Sequence, residues 1–116
     1  MGGGKPVKDA DILKWTNDKL GDRQISSFSD PSIMTSMPIY RVINKLAPNT
    51  IDLKIVNTKS HDKMDDEEKH SNARYAISQA RKLGATVFTL PDDVTEGKSK
   101  MVTMLFASLM VLEKSK

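Results

Sequence analysis

Residues 65–85 read DDEEKHSNARYAISQARKLGA. Asp65 stands where an N-cap accepts the first free backbone N–H groups, and Glu68, three residues on, completes a capping box. Asp66 and Glu67 put negative charge beside the positive end of the helix dipole. Ala73, Ala76, Ile77, Ala80 and Leu83 recur at helical spacing and make one apolar face, whose small residues let other helices approach closely. Gly84 supplies the stop. The stretch predicts a helix capped at Asp65 and running to Leu83.

Working outward, residues 86–90 alternate like a strand, but five residues with no evident partner predict an extended link into a turn at Pro91. Beyond it, ten of the twelve residues from Met101 to Leu112 are apolar. The span from about Lys98 to Glu113 therefore predicts a central helix with others around it, and it is far below the roughly 18 to 20 apolar residues that cross a bilayer. On the N-terminal side, Ile39, Val42, Ile43 and Leu46 predict a helix starting at Thr35 or Ser36 with a hydroxyl cap, Pro38 in its first turn and Pro48 after its end. Residues 51–64 predict a packed loop with one helical turn. Ile12, Trp15, Thr16 and Leu20 predict a first helix from Asp9 to Leu20, ended by Gly21. Residues 22–32, rich in Ser, Asp and Pro, then form a connector pinned to the core by Ile25 and Phe28. Residues 1–8 are expected to be a flexible leader, with one domain over 9–116.

The chain has 116 residues, 38% apolar and 28% charged, with six Gly and five Pro. Those values describe one globular domain, too short for two well-filled cores and for most large enzyme folds. Eighteen Lys and Arg against fifteen Asp and Glu leave a net charge of +3, too mild for a nucleic-acid binder, so any basic surface is local. Cysteine is absent, which removes disulfides, thiol nucleophiles and thiolate metal sites.

Catalytic and metal chemistry find little support. Two histidines, His61 and His70, stand nine residues apart rather than the four of a helical zinc pair, and read as surface groups. Residues 92–97, DDVTEG, put Gly97 at the sixth place of a calcium loop, but Val94 and Thr103 occupy the third and twelfth places, where carboxylates are required. Met101, Met104 and Met110 read as core filler and Trp15 as a core anchor. Lys14, Lys19 and Arg23, at the outer face and end of the first helix, are the best candidates for a basic contact with an acidic partner.

Several stretches together resemble a calponin-homology domain, most closely the fourth such domain of the fimbrin (plastin) family. They are Trp15-Thr16-Asn17, Asp30-Pro31-Ser32-Ile33 leading into Ser36-Met37-Pro38, residues 65–69, residues 72–78 continuing to 80–85, Leu90-Pro91-Asp92-Asp93 and Lys100-Met101-Val102. The resemblance covers about residues 10–110. The Gly-rich start, residues 57–63 and residues 95–99 depart from it.

The resemblance implies an all-α calponin-homology fold of four main helices plus short connecting ones, and no catalysis or cofactor. It implies partners in the actin filament and in a neighbouring calponin-homology domain of the same chain, in the cytoplasm at the actin cytoskeleton, with no nucleic acid or membrane. It further implies a second-position domain of a tandem actin-binding region, with Lys14, Asn17, Lys19 and Arg23 carried over as opening-helix contacts. The alternatives are a purely structural docking domain without filament affinity of its own, or a single domain binding microtubules.

Overall fold

In the computed structural model, which describes residues 8–52, 54–56, 58–60 and 62–114, the Asp65 carboxylate accepts the Glu68 N–H at 2.7 Å. In return Glu68 Oε1 accepts the Asp65 N–H at 3.0 Å. The closed box starts helix α3, Asp66–Lys82. Its end falls one residue earlier than the spacing predicts, with Leu83 as C-cap and Gly84 at φ 109°, a conformation glycine adopts without Cβ strain.

The other long helices are α1 (Asp9–Leu20), α2 (Met37–Leu46) and α5 (Ser99–Lys114), and among the described residues there is no strand. Helix α5 runs through the middle, packed on α1, α2 and the short α4 (Pro91–Thr95). Its Val102, Leu105, Phe106 and Leu109 are fully buried, against Ile39, Val42 and Ile43 of α2 in one continuous core. Each such side chain contributes about 1.5–3 kcal/mol by leaving water. Helix α3 brings Ala73, Ala76 and Ala80, all fully buried, against α2, α4 and a 3₁₀ turn, Pro31–Thr35. Tyr40 donates to the Asn72 carbonyl at 2.7 Å, and the Asn72 amide donates to the Thr35 carbonyl at 3.1 Å, tying α2, α3 and the turn together. Among the described residues no helix is long and apolar enough to cross a membrane.

The connector after α1 is pinned as expected: Ile25 and Phe28 are buried, and Phe28 stacks on Phe106 with ring centroids 5.5 Å apart. Its end departs from expectation. Asp30 Oδ1 accepts the Ser32 N–H at 3.0 Å, and Pro31, lacking an N–H to satisfy, enters the first position of the 3₁₀ turn. Helix α2 therefore starts at Met37, after Ser36 has turned the chain at φ 70°. The hydroxyl at its start is that of Thr35, which accepts the Met37 N–H at 3.2 Å.

Pro91 likewise opens a helix rather than a plain turn. Asp93 Oδ2 accepts the Leu90 N–H at 2.9 Å, and the single turn of α4 buries Val94 completely. The link before it is extended, with burial alternating residue by residue from Ala85 to Leu90. Residues 51–64 form no helix among the described residues, but the Lys63 and Met64 N–H groups donate to the Ser60 carbonyl at 3.0 and 3.1 Å and close one helical turn, as expected; Ile51 and Met64 are buried while Ile55 is exposed. Helix α5 is central without being surrounded, because Met104 and Val111 face solvent beside exposed Phe88. Met110 is core filler as expected; Met104 is not. The leader, apart from Lys8, lies outside the described residues, as do Leu53, Asn57 and His61.

Candidate functional site

The four candidate side chains of the first helix do not share one environment. Lys14 is exposed and makes no ion pair among the described residues. Asn17 is half-buried and turned to the connector: its amide donates to the Ile25 carbonyl at 3.0 Å, and its Oδ1 accepts the Ile25 N–H at 2.8 Å. It acts as a bracket that holds the segment carrying Arg23.

Lys19 joins a different group. Trp15 Nε1 donates to Glu113 Oε1 at 2.9 Å, Lys19 Nζ pairs with Glu113 Oε2, and the same ammonium lies 5.6 Å from the centroid of the Trp15 ring. The Lys19 hydrogen bond, then that of Trp15, holds the Glu113 carboxyl below the usual carboxylate range. The trio fastens α1 to the last turn of α5, so Trp15 is an anchor and the Lys19 charge is largely compensated. A partly exposed pair of this kind contributes about 0–1 kcal/mol.

Arg23 is exposed two residues beyond Gly21, and it is not isolated. Arg41 of α2 lines the same groove, half-buried, and its guanidinium is lowered from its ordinary value by burial and next by the Arg23 charge. The sequence pointed to Arg23 but not to Arg41, which sits on the polar side of its helix eighteen positions away; only the fold of the connector brings the two together.

The groups weighed for other chemistry are otherwise engaged. His70 Nε2 lies 3.0 Å from Asp92 Oδ1 and its Nδ1 3.1 Å from Arg74 Nη2. A guanidinium can only donate, so Nδ1 is the acceptor and Nε2–H is directed at Asp92, which assigns the neutral tautomer and joins α3 to α4. Asp93, buried, caps α4. Among the described residues no three His, Asp or Glu side chains converge as a metal site would require.

A chain of four long helices with α5 through the centre, short α4 and a 3₁₀ turn at Pro31 fits one family in particular. The profile of the Calponin homology (CH) domain matches residues 6–114, and the chain belongs to that family. Within it, the chain is 48% identical over 118 residues to Fimbrin of Dictyostelium discoideum, covering 99% of this chain and 19% of that protein. It is 44% identical over 114 residues to human Plastin-1, covering 95% of this chain and 18% of the relative. Among solved structures, the actin-crosslinking core of Schizosaccharomyces pombe fimbrin superimposes with a TM-score of 0.78 at 34% identity, over 89% of this chain and 22% of that one. The chain thus spans about a fifth of the length of the curated relatives it matches.

Proposed function

We propose that this chain is an actin-filament-binding module of a fimbrin-like cross-linker, the second-position CH domain of a tandem pair, acting in the cytoplasm at the actin cytoskeleton. The observation that carries this reading is the likeness, in sequence and in fold, to a part of the actin-crosslinking core of the yeast protein. The mechanism is one of surface rather than bond chemistry. A rigid helical unit presents the outer side of α1 and the segment after it to an acidic filament, and tethering to neighbouring domains raises the effective concentration of a weak contact.

The candidates Lys14, Asn17, Lys19 and Arg23 then have separate parts. Lys14 and Arg23 offer uncompensated positive charge, Asn17 positions Arg23, and Lys19 keeps α1 fixed to α5 through Glu113. The exposed apolar surface of Phe88, Met104 and Val111 favours a second contribution, docking on the neighbouring CH domain.

Co-sedimentation of the 116-residue chain with actin filaments at low salt tests the filament contact. Weak pelleting that fades as salt screens the contact is expected, and reversing the charge of Lys14 and Arg23 together removes it. No pelleting at high micromolar protein leaves the docking reading, which an NMR titration with the neighbouring CH domain added in trans checks at Phe88 and Val111. Equal pelleting after the double reversal rejects the α1 surface.

A further inference from the structure

An open groove of about 560 Å³ lies between the connector after α1, the outer side of α2 and residues 58–60. Arg23 and Arg41 both line it, and neither makes an ion pair or a side-chain hydrogen bond among the described residues. Two guanidinium groups held near one another, one of them partly withdrawn from water, form a costly arrangement unless a counter-charge is supplied.

The nearby acids supply it only in part. Asp30 shares the groove, but its Oδ1 accepts the Ser32 N–H at 3.0 Å and its Oδ2 the Ser26 N–H at 3.2 Å. Burial works against the Asp30 carboxylate, yet these bonds and those from the Ser26 and Ser32 hydroxyls prevail and keep its carboxyl below the usual range. Glu68 is engaged with Lys59 at 2.8 Å. The ionised Asp30 offsets one of the two arginine charges, so the lining, with Lys59 held to Glu68, keeps a net positive charge, and the exposed amide of Gln24 and hydroxyl of Thr58 stand beside it as neutral donors.

We propose that this groove binds a phosphate monoester, with Arg23 and Arg41 holding the dianionic phosphoryl group and Gln24 and Thr58 donating to its remaining oxygens. The donors select phosphate over a carboxylate, because two guanidinium groups with Gln24 and Thr58 offer more N–H and O–H groups than the two oxygens of a carboxylate take, and a phosphoryl group presents three oxygens. The geometry of the donors agrees, since a planar guanidinium matches two oxygens of a phosphoryl group at once. The groove also leaves room for an organic portion, which half-buried Met37 on the lining would contact.

The test is an NMR titration of the 116-residue chain with glycerol phosphate, with inorganic phosphate and with sodium chloride at matched ionic strength. It is run at about pH 7.5, where a monoester is mostly dianionic, its second pKa being about 6. Saturable shifts centred on Arg23, Gln24, Arg41 and Thr58 are expected, tighter for the ester than for inorganic phosphate. Arg41→Gln and Arg23→Gln each weaken binding about tenfold, as loss of a charge-assisted donor requires, while preserved peak dispersion reports intact folding; Lys14→Gln changes nothing. Shifts that follow ionic strength alone, equal affinity in Arg41→Gln, or saturable shifts centred elsewhere overturn the site. Equal affinity for ester and inorganic phosphate overturns the ester. No filament is involved, so the outcome is independent of whether the chain pellets with actin.

Discussion

Ser36 offers a sharp test of how this fold is held, because the residue carries two local costs. It is fully buried at φ 70° and ψ 0°, in the left-handed region, and its hydroxyl has no hydrogen-bond partner among the described residues. The backbone geometry costs a non-glycine residue roughly 1–2 kcal/mol. An unpaired buried hydroxyl costs roughly 1–3 kcal/mol more. Ser36→Gly removes both. Against this stand roughly 0.5–1 kcal/mol for the added freedom of glycine in the unfolded chain. No cap is lost, since the Ser36 side chain makes no capping bond to α2. The balance is a stabilisation of about 1–4 kcal/mol, or about 3–5 °C in Tm per kcal/mol for a chain of this size. Ser36→Ala removes the hydroxyl but keeps the strained backbone, so it should recover only part of the gain, about 1 kcal/mol less than glycine. Thermal unfolding followed by circular dichroism, with denaturant titration alongside, measures both. A glycine variant no more stable than the parent refutes the reasoning as a whole, and an alanine variant equal to glycine refutes the part assigned to the backbone.

Glu113 makes a prediction in pH. Its carboxyl is held below the usual range by Lys19 and then Trp15, so its contribution is complete above the unfolded value of about 4.3 and is lost as pH falls through the lower folded value. Glu113→Gln should therefore flatten the fall in Tm below about pH 4.3, and parallel acid limbs for the two proteins would count against the trio. Asn17→Ala should destabilise by roughly 1–3 kcal/mol, because it leaves the Ile25 N–H and carbonyl without their partner. Hydrogen exchange at the Ile25 amide should accelerate beyond what the global loss explains, and an unchanged local rate would refute the bracket.

The long helices were legible because each announces itself within its own span. The capping box at Asp65 and the apolar stripe of α2 are patterns of near neighbours, and their outcome hardly depends on the rest of the chain. The elements that sequence reasoning missed are short and are started by a proline together with an aspartate whose carboxylate accepts a nearby backbone N–H: Asp30 from Ser32, two residues on, for the 3₁₀ turn, and Asp93 from Leu90, three residues back, for α4. Asp-Pro-Ser and Leu-Pro-Asp-Asp serve equally well as plain turns, and what selects a helical turn in each case is the buried residue it delivers, Ile33 or Val94. That choice is made by the core, not by the local sequence. The composition of α5 hid a different fact. A helix apolar on all sides reads as enclosed, yet residues 85–90 pass along one side and leave Met104, Val111 and Phe88 uncovered.

The sequence places Lys14, Lys19 and Arg23 on and beyond the outer face of α1, and the family resemblance adds Asn17, but neither could say what each one faces. Helical geometry fixes which residues of one helix are neighbours; it does not report that Ile25 returns to Asn17 or that the end of α5 brings Glu113 to Lys19. Once those contacts are made, the charge available to an acidic partner moves away from the middle of α1. Compensation at Lys19 and commitment of Asn17 leave Lys14 on the helix and Arg23 beyond its end, and Arg23 is joined from another helix by Arg41. A chain with a net charge of +3 can thus present a local concentration of positive charge in a place that neither its composition nor any single helix reveals. Contacts made there should be few and should weaken as salt is raised, since a surface of two or three exposed cations is screened over about 10 Å at 0.1 M ionic strength.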